Sequence, residues 1–422
     1  MRDDACDAIT ARMKAGAAIV DITPPAGLAM SGFGARTAPA IGARDPLTAR
    51  AVAVDDTAIV CADVIGLHEE SCARIRARCY LPEAKVVVSA LHTHGGPVCM
   101  PGRLGAPLHS DYLARLEDGC VRAINAAVAA RVAARLEFGA GADPGVARNR
   151  RHDGGTVDPA LPVLRMVAGD GSVIAAVVAY ACHPVVLASH NLLWTADYPG
   201  FVRAAIERSL PGAIALFLTG CAGEANTGHK VQASNRPGPQ PDRTFEAAER
   251  IGERIAANAI AAPTRAMSGA VSAASTTVAL PLTRREREAP NVLAQRWRQQ
   301  LQTAAPNEAP LLRTWIDWAE RVAPQPLEPW MARVTVLHWC GVRIVVLPGE
   351  IFAATALSIR DAFDGPTMVI AYTDGVPGYI PPGDEYPHGG YEIDEAHRYY
   401  GMQATFAPGC AERLAEAAIA LG

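Results

Sequence analysis

The chain has 422 residues, 50 % of them hydrophobic and 19 % charged, with a formal net charge of −4. That composition is globular and excludes wholesale disorder. The near-neutral charge offers no field to hold nucleic acid or an anionic membrane. No run approaches the roughly 18 apolar residues of a membrane span. At roughly 150 residues per domain the length allows about three units, or one large α/β domain. The start, Met1-Arg2-Asp3-Asp4-Ala5-Cys6-Asp7, has no apolar core and no cleavage site, so it does not read as a secretory signal. A cytoplasmic protein is expected. The ten cysteines include no C-x-x-C pair, and in a reducing compartment they serve as small buried apolar residues.

In chain order, residues 16–23 read as a strand ended by Pro24-Pro25. Residues 50–54 and 57–61 form two more strands around Asp55-Asp56. A helix over 69–80 precedes a strand over 85–94, which Gly95-Gly96-Pro97 breaks. The Ala-rich stretch 110–136 has helical spacing. Strands follow at 173–181 and 213–218, a helix at 244–262, and a strand at 269–281. Residues 333–347 predict a hairpin around Cys340-Gly341. A helix over 351–363, a strand over 368–372 and a helix over 408–421 close the chain. The order lacks a clean βαβ rhythm, so the fold class expected is α/β (α+β) with mixed sheets.

Residues 283–330 differ in character. Leu293, Trp297 and Leu301 share one helical face, and Leu311, Trp315, Trp318 and Val322 make a second stripe. Four of the six tryptophans lie here, Trp330 included. Two readings stand: a helical hairpin packed on the main sheet, or an apolar lid or dimer surface over the active site.

The strongest chemical signal is His92-Thr93-His94-Gly95-Gly96-Pro97. Alternation along a strand puts His92 and His94 on one face at its carboxyl end, where α/β proteins place ligands. Gly95 and Gly96 would let a ligand approach the backbone. Two imidazoles there suit two metal ligands, or one ligand and a proton carrier, or a structural pair. His183 ends another apolar strand, as a ligand or a satisfied core histidine. Glu350 stands between a strand and a helix start, where a carboxylate is paired, bound to metal or capping the helix. The aromatic and acidic block from Tyr379 to Glu392 reads as an active-site loop or a structural Ω-loop. The turn 218–228 could present backbone N–H groups to an oxyanion. Arg148 to Arg151 could bind an anion or form a solvated basic turn.

Together and in this order the segments resemble the catalytic domain of the neutral ceramidase family, the zinc-dependent non-lysosomal ceramide amidases. Residues 16–25 with Gly32-Phe33-Gly34 resemble its opening, and His92 to Pro97 resembles its H-T-H-S-G-P. Asn149-Arg150, His183-Pro184, Pro348 to Phe352 and Tyr379 to Glu392 resemble its later motifs. The similarity spans roughly residues 14–422. It implies sandwiched mixed β-sheets flanked by helices. It also implies one Zn²⁺ per chain, held by His92, His183, Glu350 and Tyr379, with an open position for activating water. His94 would sit beside the reacting carbonyl, bordered by Tyr391 and Arg150. The family's serine in G-D-V-S-P-N falls at Asn226, which can donate to an oxyanion but cannot act as a nucleophile.

The expectation is therefore a single zinc-hydrolase catalytic domain over residues 1–422, with 283–330 as a helical insert or lid. Neither the family's immunoglobulin-like C-terminal domain nor its secretory signal is expected. The expected reaction is hydrolysis of an amide, or of an ester or lactone, in a small soluble substrate rather than ceramide. Nucleic acid and stable membrane insertion are not expected as partners, and a homo-oligomer is left open. Two rivals remain: a thiol hydrolase built on Cys221, and a non-catalytic zinc-stabilised binding protein.

Overall fold

The computed structural model describes residues 13–231, 238–305, 308–323 and 326–422. The N-terminal residues read above for a signal, Cys6 among them, lie outside the described residues.

Two sheets organise the chain. The larger has nine strands. Its spatial order is Ile214–Thr219, Val173–Tyr180, Leu161–Ala168, Val132–Gly141, Met13–Asp21, Thr48–Val54, Thr57–Ala62 and Val86–Ala90, with Thr264–Met267 also pairing with Val132–Gly141. Its inner pairs are antiparallel, and the pair at each end is parallel. The smaller sheet orders Val271–Leu280, Trp330–Trp339, Val342–Val346 and Thr367–Ile370, and its last pair is parallel too.

Alternation explains how the sheets stack. In the strand Thr48–Val54, Ala49, Ala51 and Ala53 join one apolar cluster with Leu116, Cys120 and Ile124 of the helix Ser110–Ala129. Val52 and Val54 join another with Leu337, Trp339, Ile344 and Val346 of the smaller sheet. Side chains one residue apart therefore point to a helix layer and to a second sheet. The helices Ala353–Asp361 and Cys410–Leu421 add Ala356, Ile359, Leu414 and Ala418 beside Val334 and Val336. The result is the expected mixed-sheet sandwich flanked by helices. A buried bond, Trp339 Nε1–H to Thr57 Oγ1 at 2.8 Å, ties the two sheets directly.

Several expected elements shift. The helix expected over 110–136 ends at Ala129, and Val132–Gly141 is a strand. No glycine or proline marks that break; pairing with Leu161–Ala168 in the register Ala134↔Ala168 makes the choice. Neither Leu161–Ala168 nor Thr264–Met267 stood out by its pattern. The expected hairpin forms with Trp339 opposite Val342. Both of its loop residues have positive φ, Cys340 at 51° and Gly341 at 83°, as a two-residue loop matching strand twist requires.

The Trp-rich segment folds into the helices Pro290–Leu301 and Ala309–Val322. Leu293, Trp297, Leu312, Ile316, Trp318 and Val322 form a cluster of their own rather than joining the cores of the sheets. Trp330 belongs to the strand that follows.

One buried ion pair holds the helix Tyr198–Ser209 against the end of the strand Thr57–Ala62. Arg203 donates to both oxygens of Asp63 at 2.6 and 2.9 Å, and Asp63 also accepts from Thr48 N and Oγ1 at 2.8 Å. The side chains are 4 % and 0 % exposed. Arg203→Met would leave the carboxylate buried without its counter-charge, at a cost of roughly 3–5 kcal/mol. Urea unfolding should show that loss, and Asp63→Asn added to Arg203→Met should recover part of it. A midpoint unchanged in the single variant would show that the pair carries no such weight.

Candidate metal centre

Three side chains from distant parts of the sequence meet between the sheets. His92, His183 and Glu350 each offer a ligand atom, and these atoms lie within 4.8 Å of one another. Each residue follows a strand of a parallel pair. His92 lies beyond Val86–Ala90, His183 beyond Val173–Tyr180, and Glu350 beyond Val342–Val346. Parallel strands put their carboxyl ends on one edge, where the connecting turns are free to carry function.

Main-chain contacts aim each ring. His92 N–H donates to Val64 O at 2.9 Å, and Nδ1 lies 2.6 Å from Ile65 O. His183 N–H donates to Ala225 O at 2.9 Å, and Nδ1 lies 2.6 Å from Ala222 O. A carbonyl oxygen can only accept, so each Nδ1 carries the proton. A neutral ring then presents the Nε2 lone pair. His183 Nε2 stands 2.9 Å from Glu350 Oε2, and His92 Nε2 stands 3.3 Å from the same oxygen. His92 Nε2 is buried with no hydrogen-bond partner. Burial first, then the Arg150 charge, brings the His183 imidazole down to about 4, so it is neutral at neutral pH. Burial pushes the Glu350 carboxyl up, but the two imidazoles, His92 foremost, hold it well below the usual carboxylate range.

Two imidazole Nε2 atoms and a carboxylate therefore crowd together, all 0–1 % exposed. That is costly as it stands. A divalent cation resolves it, and a two-histidine, one-carboxylate donor set fits Zn²⁺.

Glu350 is not the helix cap. The backbone N–H of Ala353, at the start of the next helix, goes to the carboxylate of Glu224 at 2.9 and 3.2 Å. Burial raises the Glu224 carboxyl to about 8.

The other expected residues fall as follows. Tyr379 is the register partner of Glu350 in a short parallel bridge, and its ring stacks 6.5 Å from that of His183. Its hydroxyl accepts from Arg150 Nη2 at 2.9 Å. Burial pushes its phenol up, against the pull of Arg150. Arg150 is itself occupied by the protein, donating to Glu392 at 2.8 Å and to Gly223 O at 3.0 Å. Arg148 is exposed, but Arg150 and Arg151 are no solvated turn: their side chains are 6 % and 7 % exposed. The ring of Tyr391 lies 5.8 Å from that of Tyr379, and burial keeps its phenol protonated.

His94 lies 5.1 Å from His92 and 6.4 Å from His183, ring centre to ring centre. Both of its ring nitrogens are buried without a partner. Burial, then His92 and His183, hold the imidazole well below its usual range. Strand alternation does not produce this pairing, because the strand stops at Ala90 and His92 has φ 68°.

Gly95 and Gly96 serve packing rather than ligand approach. A Cβ on Gly95 would lie 2.6 Å from Thr195 O, and one on Gly96 would lie 3.3 Å from Asp63 O. Asn226 spends its amide on its own turn, accepting from Gly228 N and His229 N and donating to His229 O. In the same turn the N–H groups of Gly220, Gly223 and Ala225 already bond carbonyl oxygens. Cys221 is fully buried, and burial raises its thiol well above the usual range, which disfavours a thiolate nucleophile there.

Sequence patterns gave no sign of Tyr372 and Tyr400. Tyr372 stacks on His92 at 4.3 Å with a buried, unpartnered hydroxyl, and has φ 59°. Tyr400 donates its hydroxyl to Glu350 Oε1. Tyr372 is a lone aromatic and Tyr400 follows Tyr399, and neither has a spacing that marks it.

No protein-family model matches the chain, and no curated protein matches it. Solved structures do. A neutral ceramidase from Pseudomonas aeruginosa superposes with a TM-score of 0.74 over 97 % of this chain and 74 % of that one, at 18 % identity. A ceramidase complexed with C2 gives 0.73 over the same shares, at 17 % identity. The chain has the neutral ceramidase fold.

Proposed function

We propose that this protein is a zinc-dependent hydrolase that cleaves the amide bond of a small soluble substrate. The observation that carries the reading is the convergence of His92 Nε2, His183 Nε2 and Glu350 Oε2, with both Nδ1–H groups fixed on carbonyls. The fold shared with ceramidases supports amide hydrolysis as the reaction class. Donors exposed by 1 % or less favour a slender or compact substrate.

His92, His183, Glu350 and Tyr379 would hold the ion. When bound, zinc polarises a carbonyl and brings the ionisation of water toward neutral pH. His94 is neutral and has two free ring nitrogens, so it takes a proton as water attacks and returns it to the leaving amine. Tyr391 keeps its proton and can donate to the developing oxyanion. Arg150 holds the Tyr379 oxygen in place. The setting proposed is the cytoplasm. Among the described residues all nine cysteines are free thiols, and no helix is long and apolar enough to cross a membrane.

Metal analysis of the purified protein should find about one zinc per chain, because the donor set closes around one ion. Dialysis against a strong chelator should abolish hydrolysis of an amide panel, and zinc should restore it. Turnover that survived complete metal removal would sink the proposal. Bound zinc with no turnover on amides, esters or lactones would leave a binding protein instead, and cleavage confined to esters or lactones would move the bond class.

His94→Gln should lower kcat on the order of 10²–10⁴-fold with the zinc content unchanged. His183→Ala should lose zinc and activity together. If His94→Gln also emptied the site, His94 would be a ligand and not the proton carrier.

A further inference from the structure

The zinc reading leaves two features unexplained: the tyrosine on Glu350 and the tryptophan-rich helices. They are physically continuous. Glu350 divides its two oxygens. Oε2 faces both histidines, and Oε1 accepts the hydroxyl of Tyr400. That phenol is 2 % exposed, its ring packs on Gly378, and it meets the Tyr379 ring edge-on at 6.2 Å. A Cβ at Gly378 would lie 3.2 Å from the Tyr400 ring, so the glycine allows this close seat.

Tyr400 closes the short helix Ala396–Tyr399. The tryptophan helices grip that helix and the turn after it through Arg398, His397 and Met402. The Arg398 guanidinium lies 5.3, 4.9 and 5.6 Å from the ring centres of Trp297, Trp315 and Trp318. Arg398 and His397 both bond Glu286, at 3.1 and 2.9 Å. Trp318 Nε1–H donates to Met402 O at 2.7 Å, and its ring meets His397 at 5.1 Å. The residues on both sides of Tyr400 are therefore held while its hydroxyl reaches the carboxylate.

We propose that Tyr400 is a positioning residue that fixes which oxygen Glu350 turns to the metal, and that the Trp297–Trp315–Trp318 clamp on Arg398 and Met402 acts on the metal site through it. A carboxylate with one oxygen occupied by a phenol offers the other as a single, oriented ligand. Without the phenol it is free to rotate between the two. Partners that hold a ligand in this way typically contribute 10–100-fold in metal affinity. The inference rests on the metal reading above and adds a route by which residues far from the ion set its affinity.

The experiment uses the full chain loaded with zinc and titrated against a chromophoric chelator. Tyr400→Phe removes one oxygen and should weaken zinc affinity by about 10–100-fold. The cobalt-loaded form should show a shifted visible absorption, since the ligand field reports carboxylate orientation. Trp318→Phe keeps an aromatic ring but loses the bond to Met402, and should weaken zinc by a smaller factor. The double variant should bind no more weakly than Tyr400→Phe alone, because both act through one hydroxyl. Thermal midpoints of the metal-free proteins read folding separately. If Tyr400→Phe fails to fold, Trp318→Phe with its cobalt spectrum carries the test. Zinc affinity and cobalt spectrum unchanged in Tyr400→Phe would overturn the positioning role, and strictly additive losses would overturn the clamp's route. A wild-type chain that took up no zinc or cobalt would overturn this inference together with the metal reading.

Discussion

Three lone-pair donors pointed at one spot are the constraint on which the site depends. Two imidazole Nε2 atoms and a carboxylate crowded out of water do not stabilise one another unless a cation or proton lies between them. The chain nonetheless spends specific interactions on this arrangement. Ile65 O and Ala222 O fix the ring tautomers, and Tyr400 takes the free oxygen of Glu350. His92 and the ring stacked on it, Tyr372, both have left-handed backbone, with φ 68° and 59°. Non-glycine residues there cost of order 1–3 kcal/mol each and persist only where the surroundings enforce them. Strain, burial and an unpartnered His92 Nε2 at one point fit a site prepared for a cation.

The two-sheet sandwich makes that preparation possible. His92 and His183 leave the large sheet, and Glu350 leaves the small one. A relative slide of the sheets would separate them. Side-chain and main-chain bonds stitch the strand ends together: Thr219 Oγ1 to Leu91 O at 2.7 Å, Ala371 N to Thr219 O at 3.0 Å, and Thr373 Oγ1 to Leu347 O at 2.7 Å. Trp339 and Thr57 fasten the sheets further down. His92 and His183 sit on turns and Glu350 in a two-residue bridge, but all three hang from strands locked to one another, so the geometry inherits the rigidity of the core.

Legibility in the sequence followed how local the signal was. Apolar strands that end in a histidine or glutamate exposed His92, His183 and Glu350, and turn chemistry exposed the Cys340-Gly341 hairpin. The site histidines were found although the alternation reasoning behind them does not operate: the strand ends at Ala90, and a left-handed turn swings His92 into place. Gly95 and Gly96 misled because a glycine pair marks close approach without saying to what; here the neighbours are Thr195 and Asp63. Val132–Gly141 was hidden because an Ala-rich helix runs up to it without punctuation, and only its sheet partners make it a strand. Tyr372 and Tyr400 carry no periodicity, so nothing short of the assembled fold places them.

The dense acidic and aromatic block is the clearest case of function and architecture sharing residues. Glu385 and Glu392 meet basic side chains rather than the cluster of His92, His183 and Glu350. Glu392 takes Arg150 and Arg151, and Glu385 takes Arg151 and His152, at 2.6 to 3.1 Å. These pairs fasten residues 385–392 to residues 150–152, which lie far away in sequence. The fastening has a chemical consequence, because the Arg150 held by Glu392 is the one that donates to Tyr379. A guanidinium beside a phenol stabilises the ionised oxygen, whereas burial opposes it. The same salt bridge that anchors the loop therefore also places the cation that faces the Tyr379 oxygen.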